Sequence, residues 1–466
     1  MSGRWKMAGS EGLKKTTDMT VGKPFELIIK FAVPLFLGNV FQQFYNMADS
    51  AIVGQALGIK ALTSVGASAS ILFLVFGFCI GTCAGFAVPV AQKFGARDYS
   101  AMRRYVFNSF YLSVAIAAIV TLATTFFCRD ILLLIHTPQE FFDDAYRYLF
   151  IIFLGIPCTI LYNEAASIMR SLGDSSTPFF YLVVAAISNI VFDVLLILVM
   201  KWGVIGAAVA TVLAQLISGI LSLRSLMREY DILRPEPGEW RFDSKICRTL
   251  LAMGVPMGLQ CSTTAVGSIM LQVSVNGLAA CYVSAYAAAL KLKSLFLPVF
   301  DSLGVAMASY CGQNFGAEQY ERIRSGVKNS VVLTAAFSLV TAVVTVLWGN
   351  YLVMLFVKAE ETQVIAAAHK YIAVDGALSI AVGLLIVFRY CIQGIGRSDL
   401  AMVGGILEMI ARTGMSLFVI PVFGWIAACY TDFAAWGSAV IYLAPVFIYL
   451  VHKQERSGTI LEPCQG

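Results

Sequence analysis

The chain has 466 residues, of which 59% are hydrophobic and only 13% charged, with a mean hydropathy of +0.78. Soluble domains carry about a quarter charged residues, so the composition excludes a string of globular domains and indicates an all-α polytopic membrane protein. The net charge of +5 is small and spread over loops, a topology pattern rather than a nucleic-acid-binding one.

The first 23 residues are polar, with Lys14, Lys15 and Lys23 but no apolar run ahead of a cleavage site, so no removable signal peptide is expected. Apolar windows of about 20 residues then predict twelve spans. They lie near 25–49, 59–88, 104–127, 147–168, 178–200, 204–227, 248–275, 282–310, 328–348, 366–388, 400–421 and 425–451. Basic residues collect in alternate loops: Arg97, Arg103 and Arg104, then Arg224 to Arg248, then Arg322 to Lys328, and finally Lys453 and Arg456. The positive-inside rule places both termini in the cytoplasm of a cell-membrane protein. The predicted layout is a cytoplasmic tail (1–23), a first lobe (24–228), a polar linker (229–245), a second lobe (246–452) and a cytoplasmic C-terminal tail (453–466).

The lobes repeat. Gln92–Ser109 (QKFGARDYSAMRRYVFNS) and Gln313–Ser330 (QNFGAEQYERIRSGVKNS) agree at nine of eighteen positions with an offset of 221. Val33-Pro34 answers Val255-Pro256, and Arg170-Ser-Leu-Gly173 answers Gln393-Gly-Ile-Gly396. Six spans separate the matches, so the halves share one orientation in a parallel 6+6 repeat, which suggests alternating access to a substrate held between them.

Polar residues inside the spans are the candidate sites, because a charge at membrane depth costs several kcal/mol unless it is paired, protonated or bound to a cation. Asp49 lies in span 1, Asn189 and Asp193 in span 5, and Thr211 in span 6. Asp193 precedes the Lys201–Gly203 turn by eight residues and Thr211 follows Gly203 by eight, so both lie about 12 Å from that turn at 1.5 Å per residue. Asp49 is about 8–14 Å from its own outer connection by the same rise, and Asn189 shares a helix face with Asp193 at i, i+4. Two carboxylates, an amide oxygen and a hydroxyl are hard donors suited to Na⁺ or a shared proton.

Secondary candidates for cavity or gating roles are Pro34, whose simpler reading is a kink near the cytoplasmic end of span 1, with Asn163, Glu164, Lys291 and Asp375. Glu164 can face a cavity or pair with Arg170. Lys291, close to Lys293 in span 8, can gate or pair with Asp375 or Asp301. Glu408 and Arg412, at i, i+4 in span 11, read as a structural intramembrane ion pair. The abundant Phe and Met, such as Phe41, Phe44 and Met47, suit an adaptable apolar cavity or a lipid face equally. Eleven cysteines without a C-x-x-C pair, and His136, His369 and His452 at segment ends, give no metal or disulfide signature. No Walker A sequence indicates ATP, and no nucleophile–base cluster indicates an enzyme.

Five stretches carry a family resemblance. They are Asn46-Met-Ala-Asp49-Ser-Ala-Ile-Val-Gly54, the repeated Gln-x-Phe-Gly-Ala, Arg170-Ser-Leu-Gly-Asp174-Ser-Ser-Thr-Pro178, Asn189-Ile-Val-Phe-Asp193 and Gly203-Val-Ile-Gly206-Ala-Ala-Val-Ala-Thr211. In this order, over about residues 24–452, they resemble the multidrug and toxic compound extrusion (MATE) family. The resemblance implies a V-shaped, monomeric, alternating-access exporter of two six-helix lobes, without a cofactor. Such a transporter antiports small organic, often cationic, compounds against Na⁺ or H⁺. It also implies that Asp49, Asn189, Asp193 and Thr211 form the first-lobe cation site, with Na⁺ as the metal it could hold. Family members often carry Lys where Lys291 stands. A proline in the first helix is linked to bending in the family. The span-7 Glu of one branch is absent near Gln260–Thr264, so a second-lobe ion site is not expected, with Asp375 as the candidate counterpart of that branch's span-10 acid. The rival readings are a lipid-linked oligosaccharide flippase of the wider superfamily and, from another class, a channel or a non-transporting receptor.

Overall fold

A computed structural model describes residues 15–134 and 137–457; Lys14, His136 and the end of the C-terminal tail lie outside them. The described residues are helical throughout, with no strand. Helix α1 (Pro24–Gly58) passes into α2 (Thr63–Gly95) across a break at Gly58, whose φ of 86° is left-handed. Next come α3 (Tyr99–Phe126), the short α4 (Cys128–Leu134), and α5 (Gln139–Leu154) with α6 (Ile156–Ser171), which meet at a 45° bend. Helix α7 (Ser176–Asp193, continuing to Val199 as a π-helix) and α8 (Val204–Glu229) complete the first half.

The second half runs α9 (Ser244–Asn276), α10 (Ala280–Gly316), α11 (Tyr320–Val353), and α12 (Thr362–Ala377) with α13 (Ile380–Gly394), bent by 47°. It ends with α14 (Ser398–Phe423, with a π segment at Met415–Val419) and α15 (Trp425–Ser457). Among the described residues, nine single helices and two bent pairs are long and apolar enough to cross a bilayer. Helix α9, the twelfth span, has the length but is diluted by Gln260, Ser262, Thr263 and Thr264. Leu122, Phe126, Ile441 and Phe418 are fully presented outward, as lipid-facing side chains must be.

The backbone repeats along with the sequence. The π segments begin at Val194 and Met415, and Gly203 and Gly424 share nearly the same conformation (φ 61°, ψ −140° and φ 59°, ψ −138°), both pairs 221 residues apart. Arg97 and Glu318, again 221 apart, both take a left-handed φ (58° and 59°) to close the turn after the Gln-x-Phe-Gly-Ala motif. The two bends fall at Gly155 and at Leu378-Ser379.

The chain divides into two compact units, one formed mainly by Val33–Gly258 and the other by Thr20–Ala32 with the chain from Leu259. Besides the change at Met19–Thr20, the changes of unit fall beside Pro34 and Pro256, the repeat-matched prolines inside α1 and α9, where a ring without an N–H removes a helical bond. Pro34 is therefore the eleventh residue of α1 and not its opening residue.

In the first unit α8 is the central post, packed by α5, α6 and α7. Gly155 and Gly206 permit this: a Cβ on Gly155 would stand 2.3 Å from Val212, and one on Gly206 3.2 Å from the Leu196 backbone. Within the same unit the start of α9 crosses α2 on two small-x-x-x-small stripes, Gly81/Gly85 and Gly254/Gly258. There a Cβ on Gly85 would lie 2.5 Å from the Gly254 Cα, so only hydrogen fits on either helix. In the second unit α10 packs on α11, α12 and α13, and α15 on α13 and α14.

The motif Arg170–Pro178 has a structural cause. Gly173 (φ 83°) turns the chain under Thr17, whose carbonyl would sit 2.1 Å from any Cβ there. Asp174 then caps α7, taking the N–H of Ser176 and Thr177 on Oδ1 (2.9 and 3.0 Å) and the Tyr230 hydroxyl on Oδ2 (2.6 Å).

The linker is latched to α3. Arg103 holds Glu239 through two hydrogen bonds (2.5 and 2.8 Å) and reaches Glu236 at 3.1 Å, Arg104 meets Asp243 at 2.6 Å, and Tyr111 donates to the Trp240 carbonyl. Hydrogen bonding by Arg103 pulls the Glu239 carboxyl down to about 2. A carboxyl depressed in the folded state stabilises above its ordinary pKa, and that contribution disappears as pH falls through the folded value. Glu239→Gln should therefore destabilise the fold by about 1–3 kcal/mol at neutral pH, because it leaves buried Arg103 with only the exposed Glu236 carboxylate as its anion. The difference from the parent protein should shrink between about pH 4 and pH 2, and thermal melts across that range read it.

Candidate cation site

Three helices bring the first-lobe residues together. Asp49 on α1 and Asp193 on α7 face each other within hydrogen-bonding reach. Asn189, one turn before Asp193, donates its amide to the Thr211 hydroxyl on α8 (3.3 Å), and that hydroxyl in turn donates to the Ala207 carbonyl at 3.1 Å. Asn189 and Asp193 are buried, and Asp49 and Thr211 half-buried. The depth reckoned from the turns thus corresponds to one cluster. The π-helix starting at Val194 directly follows Asp193, and a local widening of this kind recurs where a helix carries a functional side chain.

Two tyrosines complete the cluster. The Tyr45 hydroxyl on α1 reaches Thr211 and lies beside both acids, and Tyr148 on α5 lies buried next to Asp49, Asp193 and Tyr45. Tyr45 was legible one helical turn before Asp49. Tyr148 was not, because its approach depends on the bend that ends α5. The floor is apolar, with Val53, Ile152, Ile197, Ala207 and Ala208 in one core cluster. Such a wall denies the carboxylates water and raises the worth of any cation or proton that neutralises them.

The secondary candidates disperse. Asn163 donates to the Thr159 carbonyl of its own helix (2.8 Å). Glu164 is 1% exposed against Ser109, Ser113 and Cys83, while Arg170 donates to Ser167 at 2.8 Å. Lys291 is exposed, 5.7 Å from the Phe356 ring, and the pairing with Asp375 belongs instead to Lys293 (3.0 Å).

Glu408 and Arg412 lie 3.2 Å apart, but as the middle of a longer chain. Arg389 meets Glu408 at 2.6 Å, and Arg412 meets Asp432 at 2.9 Å. Lys293 was noted beside Lys291, whereas Arg389 and Asp432 were missed, although each stands as a charge in an apolar run that could have marked it. Among the described residues no group of three or more His, Cys, Asp or Glu could hold a metal ion.

Twelve helical spans in two repeat-related halves, with an acid cluster buried in the first, define a polytopic transporter. The MatE family model matches residues 34–195 and 256–418, one match in each half. The chain belongs to this family of multidrug efflux transporters. It is 29% identical over 361 residues to the probable multidrug resistance protein YpnP of Bacillus subtilis, covering 77% of this chain and 80% of that protein. It is 26% identical over 384 residues to the probable multidrug resistance protein NorM of Thermotoga maritima, covering 80% of each. A crystal structure of MATE in complex with MaL6 shares the fold, with a TM-score of 0.88 at 17% identity over 96% of this chain and 99% of that one.

Proposed function

We infer that this transporter exports small organic cations by antiport, using Na⁺ or H⁺ bound at Asp49, Asn189, Asp193 and Thr211. The observation that carries the reading is the meeting of two carboxylates from α1 and α7 among amide and hydroxyl groups over an apolar floor. Two anions so placed are costly unless a proton or cation joins them, so the lobe gains a reason to change state when that ion arrives or leaves.

Binding from outside would then favour the state that releases substrate, and substrate from the cytoplasm would favour ion release. Ion and substrate need not touch, since competition for one bistable lobe suffices. Basic loops at Arg97–Arg104, Arg224–Arg248 and Arg322–Lys328 support cytoplasmic termini. We take Asn163, Glu164, Lys291 and Asp375 to stand outside the coupling step.

Proteoliposomes loaded with a panel of cationic dyes, with Na⁺ and H⁺ gradients imposed separately, test this. Efflux driven by at least one gradient is expected. Efflux indifferent to both would overturn the antiport reading.

A further inference from the structure

The second unit contains a chain of ion pairs with no counterpart in the first among the described residues. Lys293 Nζ on α10 lies 3.0 Å from Asp375 on α12 and 2.6 Å from Asp432 on α15, and 4.5 Å from the centre of the Trp436 ring. Tyr371 donates its hydroxyl to Asp432 (2.7 Å), which also accepts from Arg412 (3.0 Å). With Glu408 and Arg389 the chain comprises three cations and three carboxylates. Lys293 and both its acids are nearly buried, with side-chain exposures of 11%, 16% and 7%.

The repeat tells what this place corresponds to. At the offset of 221 shared by the turns and π segments, Asp432 stands where the first lobe has Thr211, and Lys293 where it has Leu72. At 223, the offset joining Gly173 to Gly396, Tyr371 answers Tyr148 and Asp375 answers Ile152. Leu72, Tyr148 and Ile152 already lie together in the core cluster under the first-lobe acids. The second lobe lacks the first lobe's own acids, since Asp193 corresponds to Gly414. It places two other carboxylates and a tyrosine around its own ammonium.

A second observation points to a ligand. A small cavity of about 20 Å³, room for a single water-sized particle, adjoins Lys293 and Asp375, and the hydroxyls of Thr341 and Ser379 in its wall are buried without a hydrogen-bond partner. Hard oxygen donors left unsatisfied beside a carboxylate are what an alkali cation recruits.

We propose that Lys293 is a tethered cation: its ammonium fills a second-lobe cation site formed by Asp375, Asp432 and Tyr371 that is repeat-related to the first-lobe cluster. Removing that ammonium opens the site to a free monovalent cation. The repeat relation to a coupling site rests on the function proposed above, whereas the occupancy of the second-lobe site by Lys293 does not. The ammonium leaves the six charges balanced, and Lys293→Met leaves one carboxylate in excess in a low-dielectric interior, where a small cation is the mobile species able to neutralise it.

The test is binding of ²²Na⁺ to the purified full-length chain carrying Asp193→Asn, with and without Lys293→Met. Asp193→Asn disables the first-lobe site, so any gain reports on the second. One additional saturable Na⁺ per chain in Asp193→Asn/Lys293→Met, displaced by methylammonium and absent from Asp193→Asn/Lys293→Arg, is the expected result. A folded double variant that binds no more Na⁺ than Asp193→Asn overturns the proposal. If instead the wild-type chain binds no Na⁺ while the Lys293→Met variant gains one, Na⁺ fails as the first-lobe ion and the tethered cation stands; the first-lobe coupling reading as a whole fails only where efflux ignores both the Na⁺ and the H⁺ gradient.

If Lys293→Met does not survive purification, Lys293→Ala is melted in native membranes. A midpoint raised by Na⁺ or ethylammonium, but not by tetraethylammonium, supports the site by mass action. A midpoint indifferent to all three overturns it.

Discussion

Asp193→Asn should reduce gradient-driven efflux by about 10- to 100-fold, the size expected for losing a coupling free energy of about 1.4–2.7 kcal/mol between ion and substrate. The substitution keeps the shape of the side chain and its place on α7 at the head of the π segment. It removes a buried anion, so the thermal midpoint should hold or rise while transport falls. Substrate binding in the absence of a gradient should persist, which separates lost coupling from lost recognition. Thr211→Val is the graded control. It deletes one hydroxyl that accepts from Asn189 but leaves both carboxylates, and should weaken efflux only a few-fold. Efflux assays in proteoliposomes with matched protein content check both, and an Asp193→Asn protein with parental efflux would remove Asp193 from the coupling site.

The second large effect is on folding. Glu408 lies between Arg389 (2.6 Å) and Arg412 (3.2 Å), and all three are buried. Glu408→Ala strands two guanidinium groups against one remaining acid, Asp432, and should cost about 3–5 kcal/mol, the penalty for breaking a buried ion pair. Replacing Arg389 as well, in Glu408→Ala/Arg389→Met, restores the balance of charge and should recover most of that loss. The double-mutant cycle should therefore show strong non-additivity. Melting of the four proteins by size-exclusion fluorescence checks this. Equal and additive losses would show that the chain of pairs contributes nothing as a unit.

The distribution of polar residues along the chain explains why some of this was legible. Spans were readable because a bilayer demands long apolar helices, and α9, read as a span, is a 33-residue helix whose Gln260–Thr264 stretch dilutes its apolar character. Asp49, Asn189, Asp193 and Thr211 were found because a charge or amide in an apolar run is conspicuous, and helical rise fixes depth from the nearest turn. Tyr148 escaped because tyrosine is unremarkable in a membrane helix and its approach depends on the bend at Gly155. Lys291 drew attention over Lys293, two residues away, and rotation about α10 separates them: one is exposed beside Phe356, the other faces Asp375 and Asp432. Glu408–Arg412 was visible at i, i+4, but Arg389 and Asp432 join it from helices remote in sequence.

The sequence by itself determined the class of protein, its succession of long apolar helices, the 6+6 repeat and the places of the first-lobe acids along their helices. All of these follow from local quantities: hydropathy, helical rise and a constant offset. Which charges neutralise which was decided only by the tertiary structure. Partner choice depends on helix rotation and on bends at Gly155 and Leu378-Ser379, which no local pattern encodes. The two lobes share a backbone repeat down to their π segments, yet one gathers acids around amide and hydroxyl groups while the other closes its acids on Lys293. In a medium of low dielectric, the few ångströms that packing sets decide whether a carboxylate is a vacancy for an ion or half of a salt bridge.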